Sequence, residues 1–429
     1  MSAPLRIAVG GLGTVGVGTV SLLRENAALL SVRCGCAIEV VAVSARDRTK
    51  DRGIDLAGLE WVDDPVALAN TGCDVVVELI GGENGPALAL VEQALERGKA
   101  VVTANKALIA HHGEALASIA EANDAPLAFE AAVAGGIPIL KTLREGLAAN
   151  RVSRVTGILN GTCNYMLSDM RATGAPFDKV LAEAQRLGYA EADPTFDIDG
   201  VDAAHKLAIL TGLAFGCRID FGSVHIEGIR HISPLDIAFA DELGYRIKLL
   251  GIASRDEAGL VQRVHPCMVA QGAAIAAVEG VMNAVLVKGD FVDATVYEGR
   301  GAGAGPTASA VVADIVDIAR GSRTPAFSVP VESLETVATL PIQERVGPYY
   351  IRLMVVDQSG VFADIAACLR DHEVSMESLI QRVRSPDDPV TVVITTHDVR
   401  EAAMTAALEQ IAALDTVLEP PRMIRIESL

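Results

Sequence analysis

Three spacings in the chain bring chemically capable side chains together. Gly11-Leu12-Gly13-Thr14-Val15-Gly16 has the GxGxxG form, follows an apolar run at residues 5–9 and opens onto a helical pattern. In such a turn the first glycine allows the tight bend, the second lets a pyrophosphate approach the backbone, and the third lets helix and strand pack closely. Amides at the helix start then face the phosphates. Asp202 and Lys206 stand four residues apart on a predicted helix, so their side chains project from one face. Such a pair is either a solvated surface contact or a held ammonium, able to donate a proton and stabilise a developing oxyanion. Lys106 follows Thr103 at the C-terminal end of a predicted strand, where open parallel sheets bind ligands. His205 precedes Lys206 on the same helix and therefore points to another face.

These residues need a scaffold, and the first third of the chain describes one. Short Val-rich runs at 5–9, 38–43, 74–79, 100–103 and 127–129 alternate with helical patterns such as 87–96 and 108–122. Strands alternating with helices imply a parallel sheet covered on both faces, a Rossmann-type doubly wound α/β fold. The second strand ends at Ser44-Ala45-Arg46 without the acidic residue that would hold a ribose 2′-hydroxyl. Arg46, Arg48 and Lys50 follow, a set that suits a 2′-phosphate but also describes a solvated basic loop. NADP and NAD both stay open, with NADP slightly favoured.

Beyond residue 130 the texture changes. The pattern predicts a long helix over 137–149, a strand over 152–159, helices to about 212, and strands near 246–253, 261–268 and 284–287, a second α+β unit. A glycine-rich loop at 299–305 leads to Pro306, expected at the first position of a helix over 307–320 that returns to the first unit. Residues 328–346 read as a connector. The tail follows as strand 349–356, helix 361–371, strands 374–382 and 390–397, helix 400–412 and strand 422–427, a ferredoxin-like βαββαβ order. The expected domains are 1–135 completed by 299–330, 136–298, and 347–429.

Bulk properties narrow the function. The 429 residues carry a net charge of −19, which repels phosphate backbones and argues against nucleic acid or an anionic membrane as the main partner. Seven cysteines without a CxxC pair, and no His/Cys clustering at metal-ligand spacing, fit reduced thiols and a cytoplasmic location. No apolar run is long enough to span a bilayer, and none at the start reads as a secretory signal.

Several ordered stretches are specific. Thr103-Ala104-Asn105-Lys106-Ala107-Leu108, Gly135-Gly136-Ile137-Pro138, Gly157-Ile158-Leu159-Asn160-Gly161-Thr162, Gly188-Tyr189-Ala190-Glu191-Ala192-Asp193-Pro194 and Asp199-Gly200-Val201-Asp202-Ala203-Ala204-His205-Lys206-Leu207 resemble signatures of the homoserine dehydrogenases, in that family's order, across about residues 5–325. The tail resembles an ACT domain. The resemblance implies NAD(P)H-dependent, reversible reduction of L-aspartate 4-semialdehyde to L-homoserine, in threonine, methionine and isoleucine biosynthesis. It implies that Lys206, Lys106 and Asp202 are catalytic, and that Gly11, Leu12, Gly13, Thr14, Val15, Gly16, Arg46, Thr103, Lys106 and Gly305 bind the cofactor. Glu191 and Asp197 would meet the substrate ammonium, and Asn160, Gly161, Thr162 and Lys106 its other polar atoms. Glu130, Val133, Gly135 and Ile137 match the family's loop for a sodium-like cation. A homo-oligomer, dimer or tetramer, and threonine as effector at the ACT unit are also implied. Two residues depart from the pattern. Cys163 replaces a common second Thr and reads as a packing change, and Ser359 stands in Asp357-Gln358-Ser359-Gly360 where ACT loops commonly carry Pro.

Overall fold

The computed structural model describes residues 3–382 and 389–429. Strands β1 (Leu5–Gly10), β2 (Ile38–Ser44), β3 (Glu60–Trp61), β4 (Val75–Glu78), β5 (Ala100–Thr103) and β6 (Leu127–Ala128) form a six-stranded parallel sheet in the order β3-β2-β1-β4-β5-β6. Strand alternation sends Ala8, Val76 and Val101 to one face and Ile7, Val9, Val75, Val77 and Val102 to the other. Both sets are buried. Helices α3 (Pro86–Glu96) and α4 (Lys106–Ala122) cover the first face. The opposite face is covered by α1 (Thr14–Glu25), followed by the short α2 (Ala27–Cys34). The strand order reverses between β1 and β4, creating a crevice at their C-terminal ends where ligands bind in such sheets.

A second unit follows. Strands β7 (Val152–Ile158), β9 (Tyr245–Arg255), β10 (Leu260–Ala270), β11 (Met282–Gly289) and β12 (Asp293–Arg300) pair antiparallel in the order β12-β11-β7-β9-β10, and the short β8 (His225–Ile226) joins β10. Its helices are α5 (Ile139–Lys141), α6 (Gly161–Thr173), α7 (Phe177–Arg186), α8 (Thr195–Ile198), α9 (Val201–Phe215) and α10 (Pro234–Glu242). Every residue of α9 from Asp202 to Leu213 is buried, because the helix lies between α4 of the first unit and strands β7, β9 and β10 of the second. After Lys206 the helix is almost wholly apolar, as suits such an interior. Helix α11 (Ala304–Ala319) then returns to the first sheet, where Val311 and Ile315 join the core of β1, β4 and α1.

The tail folds as β13 (Val346–Gly347), β14 (Tyr349–Val356), α12 (Val361–Asp371), β15 (Met376–Gln381), β16 (Pro389–Thr396), β17 (Val399–Arg400), α13 (Glu401–Ala412) and β18 (Arg422–Glu427). The four long strands pair antiparallel in the order β18-β14-β16-β15. This unit is not tethered by a loose linker. Strand β18 pairs parallel with β10, fusing both sheets into one of ten strands. The connector also docks, with the Leu260 amide donating to Ala338 O at 2.9 Å and Leu340 to Leu260 O at 2.8 Å.

Two local expectations fail, and one strand gave no sequence signal. Residues 137–149 do not form one long helix: after α5 the chain widens into a π-turn at Thr142–Gly146, closed by Leu147 N donating to Thr142 O at 2.8 Å. The Thr142 hydroxyl bonds back to Pro138 O, Gly146 weakens the helix, and the buried Arg144 is drawn to Ala326 O. Pro306 is the third residue of α11, not the first, which is tolerated because first-turn amides have no intrahelical acceptor. Strand β12 was invisible as a pattern because it is an exposed edge with little apolar burial on either face.

Buried charge closes the seam. Arg425 of β18 donates to Glu227 at 2.7 and 2.8 Å and to Glu401 at 2.8 Å. Glu427 accepts from Arg154 and Arg345 at 3.0 Å and from Arg263 at 3.1 Å. Tyr350 and Arg352 both reach Asp236, at 3.1 and 2.7 Å. Burial pushes the Glu427 carboxyl up, but Arg263 and Arg345 outweigh it and hold it at about 2. Glu227 is likewise held low by His225 and Arg425 against the effect of burial. Both carboxyls therefore stabilise the fold above the ordinary carboxylate range, and that stability is lost as pH falls toward about 2. Removing the cation leaves the buried Glu401 and the half-buried Glu227 without their guanidinium partner. Arg425→Met is expected to cost about 3–5 kcal/mol in urea unfolding at neutral pH, with the tail and the second sheet melting in one transition.

Candidate active site

The glycine turn works through what each Cβ would meet. Gly11 has φ +100°, and a Cβ there would strike the Leu79 carbonyl of the neighbouring β4 loop. A Cβ on Gly16 would strike the Gly11 carbonyl oxygen, so that position holds α1 against the turn. Gly13 has open space before it. It is also the N-cap of α1, which has no side-chain cap and no acid in its first turn, leaving amides free for phosphate oxygens. Leu12 is buried beneath the turn, while Thr14 and Val15 begin the helix. The residues present thus fit a dinucleotide. Gly305 lies exposed in the first turn of α11, whose start sits against Gly18 of α1.

Arg46 is exposed beyond β2. Sequence reasoning missed its neighbour Arg52, whose Nε donates to Leu12 O at 3.3 Å. Arg48 and Arg52 lie 5.7 and 5.6 Å from the centre of the Trp61 ring. Only the folded loop brings that residue back to the glycine turn. Thr103 is buried and gives its hydroxyl to Glu78, which also accepts the amides of Ile80 at 2.7 Å and Gly81 at 3.0 Å. Its side chain shapes the β4 loop.

Across the crevice, Asp202 joins both lysines. Its Oδ2 lies 2.7 Å from Lys206 Nζ and its Oδ1 2.9 Å from Lys106 Nζ. Lys206 also donates to Leu159 O at 2.8 Å. The Asn160 amide donates to Asp202 at 2.9 Å and to Asp197 at 2.8 Å, while its oxygen caps α6. Both Asn160 amide protons are therefore engaged inside the protein, and the donor expected for substrate instead orients two carboxylates. Burial raises the Asp202 carboxyl, but the two ammonium groups outweigh it and hold it well below the usual carboxylate range. Burial lowers the Lys106 ammonium, and Asp202, Asp197 and Glu191 together more than reverse this. Burial and the Asp202 charge raise Asp197. Lys106 keeps 32 % of its side chain exposed against 11 % for Lys206, so it is the more open to a ligand.

Glu191 is exposed and near enough for its charge to act on Lys106. Gly161 starts α6, and Thr162 gives its hydroxyl to Tyr189 O at 2.7 Å. Asp193 accepts the Thr195 amide at 3.1 Å, a capping role. Cys163 is fully buried, its thiol points at Asp197 O at 3.3 Å, and burial pushes it well above its ordinary range, so it is no nucleophile.

Glu130 is buried, and its oxygens accept the amides of Leu140 at 3.0 Å and Lys141 at 2.7 Å. Burial and the neighbouring Asp314 push it up to about 7. Val133, Gly135 and Ile137 lie buried in the loop between Glu130 and α5, and a Cβ on Gly135 would strike the Gly301 carbonyl.

A doubly wound sheet with a glycine turn open to phosphate, facing one buried and one half-buried ammonium group, defines an NAD(P)-dependent oxidoreductase. Comparison with known proteins makes this specific. A family model for homoserine dehydrogenase matches residues 138–316, and one for the homoserine dehydrogenase NAD-binding domain matches residues 11–130. The chain is 47% identical over 433 residues to a homoserine dehydrogenase of Neisseria gonorrhoeae, covering 99% of each. The crystal structure of a homoserine dehydrogenase from Thiobacillus denitrificans superposes with a TM-score of 0.92 at 47% identity, over 99% of this chain and 98% of that one. A hyperthermophilic archaeal homoserine dehydrogenase in complex with NADPH is similar over 73% of this chain and 97% of its own, with TM-score 0.63 and 25% identity. The chain belongs to the homoserine dehydrogenase family. No helix among the described residues is long and apolar enough to cross a membrane.

Gly13 and Gly16 predict separable effects. Gly16→Ala is expected to lose about 1–3 kcal/mol of stability from overpacking, read by thermal melting, whereas Gly13→Ala keeps its melting temperature and loses affinity for NAD(P)H in fluorescence titration. The Glu130 carboxyl binds its proton more tightly folded than unfolded, so its contribution is full below 4.5 and lost as pH rises through about 7. Glu130→Gln is expected to gain stability over the wild type progressively across that window in urea titrations.

Proposed function

We propose that Lys206 is the proton donor and oxyanion stabiliser in the reversible reduction of L-aspartate 4-semialdehyde to L-homoserine, with Lys106 as the second ammonium at the reacting oxygen. The bound nicotinamide supplies or accepts the hydride. The single observation that carries this reading is the Asp202 carboxylate held between Lys106 Nζ at 2.9 Å and Lys206 Nζ at 2.7 Å at the inter-unit crevice. An ammonium has three donors. Lys206 uses two on Asp202 and Leu159 O, leaving one for substrate oxygen. As the carbonyl becomes an alkoxide, that donor gains strength in a poorly solvated site. Glu191 and Asp197 supply negative charge for the substrate ammonium, and the start of α6 at Gly161 and Thr162 faces its polar end. Asn160 acts as a positioning residue.

The finer features follow the same reading. The basic set Arg46, Arg48 and Lys50 favours NADP over NAD. Thr103 and Gly305 line the cofactor side. A sodium-like cation would be held by the Glu130, Val133, Gly135 and Ile137 loop, supported by the buried, mutually repelling Glu130 and Asp314, which a cation would relieve. The units are 1–135 with 299–330, 136–298, and an ACT-type regulatory unit at 347–429 that takes threonine. Its βαββαβ order and antiparallel sheet support that assignment. Edge strand β12, with Phe291 89% exposed beside Val292 and Val296, supports a homodimer or a larger assembly through the second unit. Seven free cysteines suit a reducing cytoplasm.

A steady-state assay with homoserine, run with both cofactors and with or without threonine, tests the reading. Lys206→Ala is expected to lower kcat by about 10²–10⁴-fold without abolishing NAD(P)H binding, and Cys163→Ala to keep turnover. In Asp202→Asn, Lys106 loses the largest charge that opposes its burial, so the alkaline limb of the kcat profile moves to lower pH. Undiminished turnover in Lys206→Ala would overturn the assignment.

A further inference from the structure

We propose that Glu83, His111 and His205 form a site for a divalent transition metal of the zinc class that staples the two sides of the crevice. Glu83 lies in the loop after β4, His111 on α4 and His205 on α9, so two ligands come from the dinucleotide unit and one from the second unit. His111 Nε2 is 3.1 Å from His205 Nε2 and 3.2 Å from a Glu83 carboxylate oxygen. Two nitrogens bound to one tetrahedral zinc at about 2.0–2.1 Å stand about 3.3 Å apart. The ligand atoms already have nearly that separation.

Within this cluster two acceptors compete for one proton. His205 Nδ1 lies 3.0 Å from Val201 O, which fixes the proton on Nδ1 and leaves a lone pair on Nε2. His111 Nε2 can carry only one proton, yet it faces two acceptors, the His205 nitrogen and the Glu83 carboxylate. A cation satisfies all three. The Nδ1 bond to a backbone carbonyl is also the outer contact that metal-bound histidines make. The His205 ring is held for this role by Phe221, stacked at 4.3 Å and 5°, and by Phe196 at 5.5 Å. Phe196 also lies 5.4 Å from Lys106 Nζ, whose charge is paired with Asp202.

A second triad, His265, Cys267 and Glu427, lacks this character. Its carboxylate already accepts from Arg154, Arg263 and Arg345, and those guanidinium groups repel a metal cation. The Glu83 cluster carries one carboxylate and two imidazoles, a donor set that suits zinc, cobalt or nickel and leaves coordination positions open. Its members are distant in sequence, so no motif spacing announces it. A metal there ties α4 and the β4 loop to α9 and slows any opening that turnover requires.

The test uses the full chain, stripped with chelator, and cobalt(II) or zinc(II) alone. Expected are tetrahedral visible absorption bands saturating at about one cobalt per chain, a rise in melting temperature with zinc, and zinc inhibition of turnover. His111→Ala and Glu83→Gln are each expected to weaken metal binding by at least about tenfold and to abolish the inhibition, while keeping metal-free turnover. Glu83→Gln, at an exposed loop position, serves if His111→Ala does not fold. Absence of cobalt bands in the wild type, or wild-type metal affinity in both variants, would overturn the site.

Discussion

Asp202 holds two ammonium groups that would otherwise repel each other in a poorly solvated crevice. Each belongs to a different unit: Lys106 begins α4 of the dinucleotide sheet, and Lys206 stands one turn along α9 from Asp202. The carboxylate therefore neutralises charge and fixes the separation of the two units at once. Its own burial would be costly without those partners. Asn160, by donating to Asp202 and Asp197 together, extends the arrangement to the start of α6.

The rest of the architecture serves that clamp. Helix α9 is buried on all sides because it is covered by α4 on one side and by a sheet on the other. Helix α11 returns the chain to the first core, so the dinucleotide sheet is completed by residues far along the sequence. At the other edge of α9's sheet, β10 accepts β18, and buried arginine–carboxylate contacts make the tail continuous with the sheet beneath the lysine helix. A structural change in the tail has a direct mechanical path to that sheet.

Much was legible wherever function rests on local backbone geometry. The roles expected of Gly11, Gly13 and Gly16 follow from one strand–turn–helix; a Cβ on Gly11 or Gly16 would strike backbone, and Gly13 faces open space. The Asp202–Lys206 pair follows from helical spacing. Less legible were groups whose partners lie elsewhere in the chain. Asn160 looked like a substrate donor until its two protons were found on Asp197 and Asp202. Arg52 gave no signal because its contact with Leu12 depends on how the basic loop folds. The π-turn after α5 was hidden because apolar periodicity does not distinguish a widened turn from a regular one.

Amino-acid order alone determined the alternating strands and helices, the glycine turn, the βαββαβ tail and the family signatures, since each depends on neighbours within a few turns of chain. Tertiary structure decided what meets across the crevice: Lys106 against Asp202, His111 against His205, and β18 against β10. Such contacts join residues up to about 160 positions apart, as in the Cys267–Arg425 pairing. Their energies come from burial and charge compensation, which exist only once the units have closed on one another.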